Sequence, residues 1–124
     1  MDKPIAALLN DLETRGLLKD TLVIWSGEFG RTPHGQGADG RDHNNKGFSI
    51  WMAGGGIRGG ITYGETDEFG HHAVKDIVNH YDYHATLLHL FGLDYKRVAF
   101  KRNGQEMSLV DGQAARLIAE ILRA

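Results

Sequence analysis

Apolar residues recur at helical spacing near the start of the chain, where Ile5, Leu8, Leu9 and Leu12 share one face. Pro4 suits a first helical turn and Gly16 a C-terminal stop, so the pattern predicts a helix ending near residue 15. Thr21-Leu22-Val23-Ile24-Trp25 is instead a continuous apolar, partly β-branched run, the pattern of a strand buried on both faces of a parallel sheet. Phe48 to Ala53 is a second predicted strand, cut off by Gly54-Gly55-Gly56. Between the two, residues 27–46 show no period and read as a long loop, a length that in a compact domain usually carries function or disorder. A second irregular stretch runs from Ile57 to about His72.

Further on, Asp82 is placed to cap a helix covering Tyr83 to Phe91, with Leu87, Leu88 and Leu90 directed inward and Gly92 ending it. Asn103-Gly104 between two apolar triplets, Val98-Ala99-Phe100 and Met107-Ser108-Leu109, predicts a hairpin. Asp111 or Gly112 then opens a last amphipathic helix that turns Ala115, Leu117, Ile118, Ile121 and Leu122 inward. No repeat and no linker interrupts this order, so residues 1–124 read as one α/β unit: a few-stranded sheet with flanking helices and a C-terminal hairpin plus helix.

Composition narrows the possible partners. The 14 basic and 16 acidic residues give a formal net charge of −2, which offers no footprint for nucleic acid. No apolar run approaches the roughly 18 residues of a membrane span. The absence of cysteine excludes a disulfide scaffold, a thiolate zinc site and a cysteine nucleophile. Glycine is concentrated: 13 of the 17 lie between Gly27 and Gly70, in the two loop systems that follow the predicted strands. Loops at strand ends are where an open α/β sheet builds its site.

The candidate chemistry lies in those loops. Gly54-Gly55-Gly56-Ile57-Arg58-Gly59 matches G-x-G-x-x-G, but the residues after it form no helix to receive a pyrophosphate, so a turn after a strand is the reading. Ser26 lacks the preceding glycine of a nucleophile elbow. Glu28 sits three residues past the first strand, with His43 fifteen residues later on the same loop. A carboxylate and an imidazole there can converge on a divalent cation, and Arg31 can hold an anionic oxygen in a bidentate clamp. The plain alternative is a Glu28–Arg31 loop salt bridge. His71-His72 read as solvated side chains, and His84 falls in the first turn of the predicted helix, with His80 outside it.

At this point a resemblance becomes specific. Leu22-Val23-Ile24-Trp25-Ser26-Gly27-Glu28-Phe29-Gly30-Arg31-Thr32-Pro33 resembles the signature of a large bacterial family of unknown function, sulfatase-like and placed in the alkaline phosphatase superfamily. Gly40-Arg41-Asp42-His43-Asn44, Gly54 to Gly60, Thr66 to Gly70 and Asp82 to Asp94 follow in the same order, so the likeness runs from about Leu8 to the C-terminus. It implies the C-terminal part of an alkaline phosphatase-like three-layer fold. It also implies hydrolysis of sulfate or phosphate esters with one or two divalent metals (Zn, Mn or Ca), acting on a small-molecule or glycan ester in the full-length protein. Carried onto this chain, Glu28 and His43 become the metal ligands and Arg31 and His84 the catalytic contacts. Asp42, Asn44 and Asp82 become supporting or substrate-contacting groups.

A lone Glu28 stands where relatives carry Asp-His, and no nucleophile motif is present. The chain therefore reads as a fragment of a longer protein, exported or periplasmic by resemblance and inactive alone. Two other readings compete: a binding module that kept the fold without hydrolysis, and a small self-standing protein whose Gly-rich loops pair with a second copy. A fragment would also bare an apolar strand edge, so self-association of the isolated chain is expected.

Overall fold

The computed structural model describes residues 2–110 and 112–124. The described residues form a mixed α/β structure of two α-helices and four two-stranded antiparallel sheets. The chain divides into two compact units, one comprising the residues up to Ile77 with Arg123–Ala124, the other Val78–Leu122. None of the described helices is long and apolar enough to cross a membrane.

In the first unit, α1 spans Asp2–Thr14 and half-buries Ile5, Leu9 and Leu12, while Leu8 stays exposed. Gly16 ends the helix as expected, at φ 69°, donating its N–H to Glu13 O at 2.9 Å, and Leu17 donates to Leu12 O at 2.8 Å. Strand β1, Leu22–Trp25, lies where the apolar run placed it, but its pairing differs. It runs antiparallel to the later strand Trp51–Gly54, matching Leu22 to Gly54 and Trp25 to Trp51. The expected parallel sheet, buried on both faces, is thus replaced by an antiparallel pair only half buried.

Gly54 explains why that pair closes as it does. At φ 74° it lies against the turn after α1, and a Cβ there would come within 2.3 Å of Leu18 O and Thr21 O. Only glycine permits this approach, and the next residue, Gly55, donates its N–H to Leu18 O at 3.0 Å. The triple glycine is the post-strand turn that the sequence predicted.

The long aperiodic loop is not shapeless. Gly30–Arg31 and His43–Asn44 form a short ribbon, β2–β3, with Gly30 opposite Asn44 and Arg31 opposite His43. Thr32 closes its base, donating its N–H to Asp42 O at 2.9 Å and accepting from Asp42 N at 3.1 Å. With the second long strand numbered β4, the next irregular stretch holds another ribbon, β5 (Glu65–Thr66) with β6 (Ala73–Lys75). The two ribbons are tied by Asn44, which is 3 % exposed. Its side-chain amide donates to Gly47 O and His71 O, and its oxygen accepts from Lys46 N.

The second unit is organised by α2, His80–Leu90. Asn79, not Asp82, is the N-cap: its side chain accepts from Asp82 N at 2.9 Å, and Asp82 returns a bond to Asn79 N at 3.3 Å. The helix therefore begins three residues earlier than expected and includes His80. Gly92 ends it as predicted, at φ 76°. The hairpin also holds: β7 (Ala99–Arg102) pairs with β8 (Gln105–Ser108) across Asn103 and Gly104, both at positive φ as the two-residue turn requires.

The last helix does not form. Residues 113–118 carry no helix, and only Ala119–Ile121 makes a 3₁₀ turn; the alternative helix opener Asp111 lies outside the described residues. Two side chains of α2 explain the change. Asp82 accepts Arg116 N at 2.9 Å, and Thr86 accepts Ile118 N at 3.1 Å while donating to Asp82 O. Those N–H groups would have bonded carbonyls four residues back in a helix. The apolar residues still turn inward: Ala115 and Leu117 pack on the core of Ala85, Tyr95 and Val110, and Tyr95 Oη donates to Ala115 O at 2.8 Å.

Candidate functional site

The site forms where β1 runs out. Leu22–Trp25 fixes the strand, Ser26 donates to Gly27 O, and the chain then turns into β2 through Glu28 and Phe29. Because Arg31 and His43 are direct cross-strand partners, their side chains share one face of the ribbon. Phe29 joins them: its ring centroid lies 4.2 Å from that of His43, and the Arg31 guanidinium sits 5.5 Å from the same ring. Glu28 Oε1 is 3.7 Å from Arg31 Nη2. Side chains from the two ends of the long loop are thus linked in a chain, Glu28 to Arg31, Arg31 to Phe29 and Phe29 to His43.

Their pairing is loose. Glu28 is 64 % exposed and Arg31 42 %, so their attraction is screened by water and contributes at most about 1 kcal/mol. An exposed guanidinium held by a weak partner remains able to take an anionic oxygen. Arg31 also lines an open cleft of about 520 Å³, walled by Trp25, Phe29 and Phe48 and floored by Gly27, Gly30 and Gly47.

The other expected site residues are placed differently. Asp42 turns its carboxylate to the N–H of His43 at 2.7 Å, orienting the backbone that carries the imidazole. Asn44 is the buried tie between the two ribbons. Asp82 and His84 belong to the second unit. Both Asp82 oxygens accept backbone N–H groups, and exposed His84 lies 2.7 Å through Nδ1 from His80 O.

Pattern reading overlooked three contributors. Phe29 is the ring on which Arg31 and His43 meet. Thr32 was passed over, although a hydroxyl at a ribbon base has an obvious use. Asn79 was missed too, although an Asn three residues ahead of an Asp is a capping-box signal.

A comparison with protein families places this architecture. A family profile described as "Protein of unknown function (DUF1501)" matches residues 1–122. The chain belongs to the DUF1501 family. No curated protein and no solved structure matches it.

The metal expectation for this DUF1501 chain can be set against its donors. Of the two candidate ligands, His43 lies on the ribbon and Glu28 in the turn before it, turned toward Arg31. Among the described residues no three His, Asp or Glu side chains are grouped to hold a metal ion. These side chains alone do not make a complete cation site.

The second loop of the same unit holds a tighter carboxylate. Asp67 Oδ1 accepts His71 N at 2.7 Å, and Oδ2 accepts His72 N at 3.0 Å with the His72 ring at 3.3 Å. The His71 N–H holds the Asp67 carboxyl below its ordinary value, His72 adding to it against some desolvation. His72 is exposed, as the sequence predicts, and His71 is half-buried, its ring edge-on to His34 at 5.8 Å and 4.4 Å from that of His72.

Proposed function

We propose that this DUF1501 chain is the C-terminal portion of a hydrolase of sulfate or phosphate esters, akin to the alkaline phosphatase and sulfatase superfamily and its three-layer fold. In this reading it supplies anion-holding and part of the ligand set, while the nucleophile and remaining ligands come from outside the chain. The supporting observation is that Arg31 and His43 stand opposite each other on the ribbon just past the end of β1, with Glu28 paired to Arg31. Arg31 holds an ester oxygen, Phe29 fixes the guanidinium and imidazole planes, and Asp42 orients the His43 backbone. No reaction step is assigned to the chain alone, because two donors do not complete a cation site.

The test is hydrolysis of aryl phosphate and aryl sulfate esters by the chain with added Zn, Mn or Ca. The expected result is no turnover above background, together with sulfate binding that Arg31→Ala weakens. Robust turnover that survives both Glu28→Ala and His43→Ala overturns the assignment.

One observation favours a second reading, a binding module without hydrolysis: Glu28 faces Arg31, and among the described residues no third ligand stands nearby. Calorimetric metal titration separates the two. Binding of Zn or Mn that Glu28→Gln and His43→Ala both reduce supports the hydrolase portion, and no binding by either this chain or the full-length protein supports the module.

A further inference from the structure

Two segments of the first unit meet through imidazoles. The arm between β2 and β3, residues 32–42, is closed at its base by the Thr32–Asp42 bonds and within itself by Gln36 N, which donates to Gly40 O at 2.7 Å. Among the described residues, no hydrogen bond or ion pair of residues 33–41 reaches beyond Thr32 and Asp42. The ring contact that leaves the arm is His34 on His71, edge-on at 5.8 Å, and the His71 ring in turn lies 4.4 Å from that of His72.

The far side of this contact is held firmly. In the turn between β5 and β6, the Asp67 carboxylate accepts the N–H groups of His71 and His72, and the Asn44 amide donates to His71 O. Ala73 N donates to Lys46 O at 2.8 Å, and Gly47 lies so close that a Cβ there would come within 2.9 Å of the His72 carbonyl carbon. The arm thus rests one ring on a fixed pair of rings.

Charge decides whether that contact lasts. Imidazole is the side chain whose charge ordinarily changes between about pH 5 and 8, and neutral rings pack edge to face as other aromatic rings do. A proton on His72 is answered by Asp67 Oδ2, 3.3 Å from its Nδ1. Protons on His34 and His71 are not answered: among the described residues no carboxylate pairs with either ring, and Asp39, Arg41, Lys46 and Glu68 make no ion pair with them. Asp42 is turned to the His43 N–H, and Glu65 to Lys75. Like charges on the two rings repel and oppose the contact. We propose that the His34–His71–His72 stack is an acid-released latch, holding the 32–42 arm on the turn between β5 and β6 while its rings are neutral. It releases the arm as His34 and His71 both take protons, when pH falls through the imidazole range, roughly 7 to 5. The latch goes beyond the hydrolase reading and stands without it. Its contacts lie inside the first unit, so it needs no free surface.

The test is NMR of the chain from about pH 7.5 to about pH 5. It reads the nuclear Overhauser contact between the His34 and His71 rings and the backbone order parameters of residues 34–40. The ring contact is expected at the upper pH and should fall about threefold or more at the lower one, with the order parameters of the arm falling alongside. The amides of His71 and His72, bonded to Asp67, should keep their protection over the same range. His34→Phe sets on His71 a ring that takes no charge, so its contact should survive acid. In His34→Gln the order of the arm should no longer depend on pH. A wild-type ring contact undiminished at about pH 5, or absent at about pH 7.5, overturns the proposal with no variant needed. Equal loss of the contact in His34→Phe, or an arm that still loosens in acid in His34→Gln, overturns it by placing the trigger on another group.

Discussion

Two regions of this molecule use the same side-chain types in opposite ways. Around α2, an Asp and a Thr are almost fully buried, and their side chains hold backbone groups of Asn79, Asp82, Arg116 and Ile118. At the β2–β3 ribbon, a Glu, an Arg and a His lie on the surface, the Glu and Arg in a long ion pair and the Arg and His each against the Phe29 ring. Buried polar groups must be satisfied, so the first set is committed to holding the chain together. The exposed set keeps unused hydrogen-bonding capacity, which a ligand can take up. In sequence both sets look like candidate chemistry; burial separates them.

The sharpest way to break that contrast is at Asp82. Asp82→Ala removes the acceptor for Asn79 N and Arg116 N at once, costing a helix cap and leaving N–H groups short of partners. The expected loss is about 3 kcal/mol, read as a lower midpoint in urea unfolding. A loss within about 0.5 kcal/mol would mean that Asp82 is free for chemistry after all. Asn44→Ala comes next at about 2 kcal/mol, because it unties the two ribbons of the first unit. Amide exchange should then quicken at Lys46 and across residues 43–47 and 71–73, while the amides of α2 keep their protection.

Those two residues also mark what was legible in the sequence. Apolar periodicity found α1 and β1, because each answers to a local pattern; on α2 it found Leu88, which packs on the core, but not Ala85, the buried residue at its centre. Asn103-Gly104 found the hairpin for the same reason. The parallel sheet was misread because a two-faced apolar strand says that it needs neighbours, not which ones. The last helix was misread because its N–H groups bond to Asp82 and Thr86, more than thirty residues away. At the site, Arg31 and His43 stand opposite each other on the ribbon and Glu28 pairs with Arg31, but Phe29 and Asn44 act through ring contacts and long-range bonds that no spacing rule announces.

A pH titration sharpens the comparison within the first unit. Asp67 is held below the ordinary carboxylate value by the His71 N–H first, with His72 adding to it. The sign follows from this direction. The stabilisation is complete above the unfolded value near pH 4 and is lost as pH falls through the lower folded value. Below about pH 4, amide protection at His71 and His72 should decline first, and Asp67→Asn should remove that pH dependence. An unchanged acid profile in Asp67→Asn would assign the loosening to another carboxylate.

The smallest effect is expected where function is proposed. Glu28→Gln breaks only a screened 3.7 Å pair between exposed groups. Its effect on stability should stay within about 0.5 kcal/mol. The same change frees the Arg31 guanidinium from its neighbouring carboxylate, so sulfate should bind more tightly, and Arg31→Ala should abolish the gain. Calorimetry in low salt reads the binding, and urea unfolding reads the stability. If Glu28→Gln instead costs as much as Asn44→Ala, the ribbon is held by its ion pair and the division between holding residues and available ones fails. If stability is unchanged and sulfate affinity does not rise, Arg31 is engaged elsewhere and the anion-holding role goes with it. A rise in affinity at constant stability is the outcome that keeps both the contrast and the site.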